Sequence, residues 1–284
     1  MVEGLLFALL WASATVATKF AIKSADLFLL TFIRFSIVAI LLQSYRLLKK
    51  SQYPLPAKKD FGSLFILGLL NITIYMSGFL IAIQTVSAGM VSLVSASNPL
   101  ILILLSSFIL KRKLLLNEII GIIISLSGLI LATIPNLHDN HSTIIGLIAL
   151  IIGNISLSLG SIYYSKSQIS LPKISVNTWQ ITFGSILFIP IILINSSNNF
   201  IVPDLNFYLS LSWLVIPVSI IAYTLWLRLL DKDSIKAGIW LFLTPVLGYL
   251  MAIVILNEPI TIYGIAGAIL VVSGLLFTRK KTEK

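Results

Sequence analysis

The chain has 284 residues, of which 58% are hydrophobic and only 11% are charged, and its mean hydropathy is +1.04. Soluble domains carry about 25% charged residues, so this composition excludes an ordinary soluble protein and predicts a polytopic membrane protein. The formal net charge of +10 would by itself also fit a nucleic-acid-binding protein. The absence of cysteine excludes disulfides, thiolate metal sites and thiol redox motifs.

The first apolar run, "MVEGLLFALLWASATVA", superficially resembles a signal peptide. Its start carries Glu3 and no cation, and the run is longer than a usual signal core, so we expect a retained first helix. A membrane-crossing helix needs about 20 apolar residues, and ten such stretches follow one another, separated by loops too short to hold a domain. The predicted spans are 2–22, 26–45, 61–84, 88–110, 114–135, 143–164, 174–195, 207–230, 235–256 and 260–278.

Lysine and arginine predict the orientation of these spans, because cytoplasmic loops are enriched in both residues. Of the 20 lysines and arginines, all but Lys19, Lys23 and Arg34 fall in the even-numbered connections, within three residues of them, or in the C-terminal tail. We therefore expect both termini in the cytoplasm and a multi-pass protein of the inner (cytoplasmic) membrane. The positive charge orients the chain in the bilayer and does not indicate a nucleic-acid partner.

The sequence contains an internal repeat with an offset of 146 residues. At this offset Pro99 falls on Pro245, and "SGL" at 127–129 falls on "SGL" at 273–275. Each half holds five spans, an odd number, so the second half enters the membrane from the opposite side, as in many transporters. The predicted fold class is an all-α integral membrane protein with ten transmembrane helices as two inverted five-helix repeats. Its units are a first repeat at 1–136, a second repeat at 143–279 and a basic cytoplasmic tail at 280–284.

The two related prolines each lie near the middle of a predicted span. A proline in a helix leaves the carbonyl four residues earlier without its usual N–H donor, here those of Ser95 and Leu241. Irregular backbone at this depth is tolerated where it lines a cavity, and transporter sites are built in this way. We interpret Pro99 and Pro245 as kink or gating positions in a cavity wall, with a purely structural kink as the alternative.

Three stretches carry a family resemblance. They are the segment 222–277, "AYTLWLRLLDKDSIKAGIWLFLTPVLGYLMAIVILNEPITIYGIAGAILVVSGLLF", the segment 177–188, "NTWQITFGSILF", and "LLFALLWASATVATKFAIK" followed by "FIRF". The chain resembles the EamA family of the drug/metabolite transporter superfamily from about residue 4 to 278. The resemblance implies a ten-helix carrier without an ATPase domain that moves small metabolites, often outward, and includes many amino acid exporters. It also implies a central cavity built chiefly by helices 3, 4, 8 and 9.

Candidate substrate-binding residues are polar or aromatic side chains near the predicted cavity. Polar groups at the bilayer centre are costly and usually face the bundle interior, although they also serve as hydrogen-bonding glue between helices. Aromatic residues supply apolar pocket walls, with an interfacial belt as the alternative. The candidates are Trp11, Asn71, Tyr75, Ser95, Asn98, Asn154, Tyr163, Tyr223, Trp240 and Thr244.

Arg34 is a cation about eight residues into the second predicted span, and the repeat offset places Gln180 opposite it. In one interpretation it is a charge partner for an anionic group of the substrate. In the other, its guanidinium reaches backbone carbonyls or the outer interface.

The sequence thus predicts an inner-membrane secondary transporter that moves small metabolites by alternating access around a midplane cavity. Export of amino acids or related compounds is the first expectation, and uptake of a nucleotide-like or adenosyl metabolite is the alternative. The ten acids and two histidines form no catalytic cluster, so we expect no enzyme, metal or cofactor. The expected partners are a small-molecule substrate and the lipid bilayer, without nucleic acid. A monomer is expected, with a dimer as the alternative.

Overall fold

The computed structural model describes residues 2–109, 111, 114–138, 144–167, 169–194, 200–232 and 234–278, so the predicted basic tail lies outside it. In these ranges the regular structure is helical, apart from one antiparallel bridge between Ala25 and Ile201. The all-α prediction is confirmed. The helices are α1 Val2–Ala21, α2 Leu27–Leu48, α3 Asp60–Gly68, α4 Tyr75–Thr85, α5 Ala88–Ser95, α6 Asn98–Ile109, α7 Leu116–His138, α8 Ile144–Lys166, α9 Lys173–Ile194, α10 Leu205–Trp213, α11 Tyr223–Lys232, α12 Ser234–Leu256 and α13 Ile262–Thr278.

Seven helical stretches in the described residues are long and apolar enough to cross a membrane, and three shorter apolar helices accompany them. The short ones are Leu116–Ala132, Leu243–Leu256 and Ile262–Gly274. Large apolar side chains cover the outside of the bundle, for example Val254, which is 75% exposed. Helices that are apolar on all sides belong in lipid. The chain is therefore a multi-pass membrane protein, while the number of ten crossings stays a prediction.

Short polar side chains cap four helices in the described residues, one of them being Thr261, which accepts the N–H of Gly264 at 3.0 Å at the start of α13. Asp26 caps α2 by accepting the N–H of Leu29 at 2.8 Å, and Asp204 caps α10 in the same way. Ser87 caps α5 by accepting the N–H of Met90 at 3.2 Å. The first N–H groups of a helix have no partner within it, so these caps fix where each helix starts.

The fourth predicted span is two helices with a break between them. Helix α5 ends at Ser95, residues 96–97 form a turn, and α6 begins at Asn98. Pro99 thus falls in the first turn of α6, where a proline costs little because its missing N–H would be unpaired anyway. Pro245, by contrast, lies inside the continuous helix α12. The two related prolines therefore have different backbone surroundings.

Two wide, π-helical segments interrupt the third and eighth predicted spans. They are Leu69–Ile74 between α3 and α4 and Leu214–Ala222 between α10 and α11. Side-chain hydroxyls donate to carbonyls in both segments, from Ser156 to Leu70 at 2.8 Å and from Ser219 to Leu214 at 2.9 Å. Each segment ends immediately before a tyrosine that opens the next helix. Wide turns of this kind are frequent at functional sites.

The two halves of the chain pack against each other through matching pairs of helices. Helix α1 contacts α10, α11 and the segment between them, and α8 contacts α3, α4 and the segment between those. Likewise α1 contacts α12, and α8 contacts α5 and α6. Helix α2 packs on α9, and α7 packs on α13. The largest apolar cluster lies where these contacts meet.

Helix α13 approaches α7 closely along small residues. The carbonyl oxygen of Gly128 would lie 2.5 Å from a side-chain carbon placed on Gly267, so only glycine fits there. The Ser125 hydroxyl also donates to the carbonyl of Val271 at 3.1 Å. Small residues at such contacts let helix backbones approach in a membrane.

Candidate functional site

A central cavity of about 560 Å³ lies between the two halves of the chain. Its size is in the range of small-molecule sites, roughly 300–1,000 Å³. It is lined by the third, fourth, eighth and ninth predicted spans, as the resemblance implied. Helices α1, α2, α8 and α9 also line it. Ten predicted residues lie in the lining, namely Trp11, Arg34, Asn71, Tyr75, Ser95, Asn98, Asn154, Tyr223, Thr244 and Pro245.

Arg34 on α2 is deeply buried, with only 8% of its surface exposed. Its Nε donates to the hydroxyl of Ser219 at 2.9 Å, and its guanidinium lies over the Phe35 ring, 5.0 Å from the centroid. Tyr75 is close enough to interact with it electrostatically. In the described part of the chain no carboxylate pairs with this guanidinium, and its terminal nitrogens donate to no protein oxygen.

A chain of amides crosses the cavity wall from Asn71 to Tyr223. Nδ2 of Asn71 donates to Oε1 of Gln180 at 3.1 Å. Nε2 of Gln180 donates to Oδ1 of Asn177 at 2.8 Å and, more weakly, to the Tyr223 hydroxyl at 3.3 Å. These bonds tie the first repeat to the second through buried polar groups, so the wall is held in one arrangement.

Helix α8 clamps the break between α5 and α6. Nδ2 of Asn154 donates to the carbonyl of Val94 at 3.3 Å, and the Ser158 hydroxyl donates to Oδ1 of Asn98 at 3.0 Å. The carbonyl of Val94 also accepts the N–H of Ser97 at 2.9 Å and its hydroxyl at 2.7 Å, so Asn154 adds a further, longer bond that ties α8 to the end of α5. Asn154 is 1% exposed, which fits this structural task as well as a place in the wall.

Three predicted site residues fall elsewhere or outside the described side chains. Tyr163 points away from the lining and donates its hydroxyl to Ser63 at 3.1 Å, while its neighbour Tyr164 lines the cavity. Trp240 packs with the cluster around Phe7 and does not contribute to the lining. Pro99 lies in a helix, but its side chain is outside the part that the structure describes.

Sequence reasoning did not select several side chains that line the cavity. Gln180 and Asn177 form the amide chain, Ser219 holds Arg34, and Phe35 stacks on it. For these residues the sequence offered one indication, the repeat offset that places Gln180 opposite Arg34. Ser219 carried none, because a single serine in an apolar span is common.

The charge of the lining is positive. Arg34 and Lys173 line the cavity, and no aspartate or glutamate does so among the described residues. In the same residues no cluster of metal-ligating side chains occurs. The cavity thus offers cationic, amide, hydroxyl and aromatic groups, a set suited to binding rather than to acid–base catalysis.

Among the described residues, those that line the cavity reach one end of the bundle. Tyr164 and Lys173, which line it, lie next to the connection 169–172. We call this end, which also carries the connection 49–59, the basic end. The other end, called the opposite end, carries 22–26, 86–87, 200–204 and 257–261, and none of these residues lines the cavity.

Contacts between the two halves close the opposite end. Glu258 accepts the backbone N–H groups of Ala88 at 2.6 Å and Gly89 at 2.9 Å, at the start of α5. Lys19, which interacts electrostatically with Glu258, donates to the carbonyl of Val86 at 2.9 Å. An anionic group at a helix N-terminus is favourable because the helix dipole is positive there.

A second contact at the opposite end joins the connections 22–26 and 200–204. The N–H of Val202 donates to the carbonyl of Ser24 at 2.7 Å, and the Ser24 hydroxyl donates to Asp204 at 2.9 Å. Hydrogen bonds from the Phe207 N–H and from Ser24 lower the pKa of Asp204 below its ordinary 3.8. This contact is therefore complete at neutral pH and weakens only as the pH falls through that lowered pKa.

Comparison with known proteins places the chain in a family. The sequence model of the EamA-like transporter family matches residues 2–134 and again residues 144–279. The chain belongs to this family, and the predicted resemblance is confirmed. The double match also supports a two-repeat architecture, and it makes the protein a transporter rather than an enzyme.

Individual relatives agree over nearly the whole length. An uncharacterized transporter of Archaeoglobus fulgidus is 25% identical, covering 95% of each chain. A probable amino-acid metabolite efflux pump of Salmonella typhimurium is 24% identical, covering 96% of this chain and 92% of the pump. A solved crystal structure matches with a TM-score of 0.69 and 19% identity, covering 98% of this chain and 95% of the other, which shows a shared fold.

Proposed function

We propose that the protein is an inner-membrane secondary transporter that exports amino acids or related small metabolites by alternating access. The cavity between the two repeats carries this proposal, because it is large enough for one small metabolite and offers both polar and aromatic groups. The efflux pump of Salmonella typhimurium, a relative over nearly the full length, supports amino-acid-related compounds as the substrate class.

The proposed architecture has ten membrane crossings in two inverted five-helix repeats, at 1–136 and 143–279. The helix contacts support it, since each contact of α1 with the second half has a counterpart made by α8 with the first half. A two-fold axis that relates inverted repeats would produce this reciprocal pattern of helix contacts. The repeats meet at the cavity, so a rocking motion of one against the other would change its access.

The proposed orientation places the basic end and both termini in the cytoplasm, following the positive-inside rule. The cavity then opens toward the cytoplasm, where Lys173 and Tyr164 line it, and the contacts of Glu258 and Ser24 close the outer side. In an exporter this conformation is the one that loads substrate. Both contacts must open before the substrate can leave.

The proposed binding residues are the predicted ones that line the cavity, with Asn98 as the most informative to change. It lies at the start of α6, at the helix break, and among the described residues its side chain bonds to the hydroxyl of Ser158 alone. Tyr163 and Trp240 stay predictions whose contact with substrate requires a conformation other than this one. A monomer remains the proposed state, because the complete cavity is formed within one chain.

The test is quantitative mass spectrometry of medium and cell extract from bacteria that express the chain and are fed dipeptides to raise amino acid pools. Wild type, Asn98→Ala and the lipid-facing control Ile152→Ala are compared at equal membrane abundance; Ile152 is 53% exposed on the same helix as Asn154. We expect one or a few metabolites to accumulate outside with wild type and control only. Depletion from the medium would reverse the direction, and no change in any metabolite would refute transport.

A further inference from the structure

The cavity contains a cation, Arg34, whose charge no carboxylate neutralises in the part of the chain that the structure describes. Arg34 uses Nε for Ser219 and rests on the face of Phe35. In the described residues no protein group accepts a hydrogen bond from the two terminal nitrogens of Arg34. Neither nitrogen is fully enclosed by protein. They therefore face the cavity, so the planar fork of the guanidinium is available to a ligand.

An arginine at this depth needs a reason to be there. A buried charge without a partner is strongly unfavourable, and charged side chains within membranes usually mark a substrate or ion pathway. The Ser219 hydroxyl and the Phe35 ring stabilise the guanidinium in part, the ring through its negative face. They also hold it in one orientation. The interpretation in which the guanidinium reaches backbone carbonyls has no hydrogen bond to support it in the described residues.

The chemistry of the lining selects the charge of the ligand. Arg34 and Lys173 are its cations, and no described carboxylate lines the cavity. A cationic substrate would be repelled by Arg34 and Lys173 without a described carboxylate to compensate, and a neutral one would leave the charge of Arg34 unneutralised. A carboxylate matches the guanidinium geometrically, because two parallel N–H donors can engage its two oxygens.

We propose that the substrate carries a carboxylate that pairs with the terminal nitrogens of Arg34 in the cavity, while its less polar part contacts the aromatic wall at Trp11 and Tyr75. This inference rests on the proposed transport function and adds the requirement for a carboxylate and the residue that recognises it. Ser219 and Phe35 are positioning residues, since they hold the guanidinium and do not themselves bind the carboxylate.

The first test compares matched acids and amides on the purified full-length protein in detergent. The probes are a panel of amino acids and 2-oxo acids, followed by the amide of each acid that raises the melting temperature. We expect acids to bind and their amides to bind at least about tenfold more weakly, because a charge-assisted bidentate pair is lost. Equal binding of acid and amide, or no stabilisation by any acid, would overturn the proposal.

The second test changes the arginine and reads the acid-to-amide ratio, which a merely structural role would not move. Arg34→Gln is expected to bring the ratio close to one, and Arg34→Lys to leave it intermediate. Arg228→Gln, which changes an exposed arginine outside the cavity, is the matched control and should keep the wild-type ratio. An unchanged ratio in a folded Arg34→Gln protein would refute the role.

If Arg34→Gln does not fold, Ser219→Ala decides, because it keeps the charge and loosens its position. A severalfold fall of the ratio is then expected, and an unchanged ratio counts against the proposal. Failure of the proposed transport function gives a different result from failure of the carboxylate proposal. Export of an amine or a neutral sugar by wild type would keep transport and overturn the carboxylate, whereas carboxylate binding without any transport would do the reverse.

Discussion

Removing the carboxylate of Glu258 should open the opposite end of the bundle, which in the proposed orientation is the outer side of the transporter. Glu258 comes from the connection between α12 and α13, in the second half, and holds the N–H groups of Ala88 and Gly89, in the first. It therefore bridges the two halves at the end that the cavity does not reach. The informative variants are Glu258→Ala, which removes both acceptor oxygens, and Glu258→Gln, which keeps one.

The magnitude follows from these two hydrogen bonds. Each bond contributes about 1 kcal/mol net of its exchange with water, because Glu258 is half-buried and water screens its charge. We therefore expect Glu258→Ala to destabilise the closed outer side by roughly 2 kcal/mol, which is about a thirtyfold change in the ratio of closed to open forms. Glu258→Gln should give a smaller change, because its amide oxygen can still accept one bond.

Thiol labelling can measure this ratio directly, because the chain contains no cysteine of its own. Thr18 lines the cavity on α1, close to the end that the Glu258 contact closes, so Thr18→Cys reports access from outside. A membrane-impermeant maleimide is added to intact cells, and the labelling rate is compared with and without Glu258→Ala. We expect at least a tenfold faster rate in the double variant, in line with the shift estimated from the two bonds.

The matched control is Glu118→Ala, since Glu118 accepts the N–H of Leu115 at 2.9 Å just before its own helix α7. It removes the same side chain at a different place and should leave outer labelling unchanged. If Glu258→Ala leaves the labelling rate of folded protein within twofold of the parent, the contact does not hold the outer side closed and the reasoning fails.

Three further variants test how the helices pack. Gly267→Ala should lower stability by about 1–3 kcal/mol, because its new carbon would press on α7, whereas Gly62→Ala, with nothing within 4 Å, should be neutral or slightly stabilising. A melting temperature for Gly267→Ala equal to that of the parent would contradict the close contact. Asn154→Leu should lower stability by about 0.5–1.5 kcal/mol, because the carbonyl of Val94 loses the amide of Asn154 but keeps the N–H and hydroxyl of Ser97 as donors, and an unchanged melting curve would argue against the clamp.

Much of the fold could be predicted because apolar length is a direct signal. Predicted spans such as 2–22 and 174–195 differ from Val2–Ala21 and Lys173–Ile194 by at most one residue at each end. The break at 96–97 was harder, because a proline in a sequence indicates disturbed backbone without saying whether the helix bends or stops. The different outcomes at the two prolines show this.

The sequence indicated which residues lie at the depth of the site in the membrane, but not which way their side chains point. A polar residue in mid-span is expected to face inward, and Asn71 and Tyr223 do so. Tyr163 and Tyr164 are adjacent, and consecutive residues point about 100° apart around a helix. Because α8 is apolar on most sides, its sequence does not say which of the two faces the cavity. Packing against neighbouring helices decided it.

The wide turns at Leu69–Ile74 and Leu214–Ala222 also bear on which deletions the chain can absorb. A π-helical turn holds one residue more than an α-helical turn, so the helix beyond it keeps its face despite the extra residue. Removing one residue within Leu69–Ile74 can restore a regular helix and still leave Tyr75 facing the cavity. The same deletion in a regular helix such as α8 would rotate everything beyond it by about 100°. We therefore expect single-residue deletions to be tolerated within these two segments. In a regular membrane helix, the same deletion would turn the side chains beyond it away from the site.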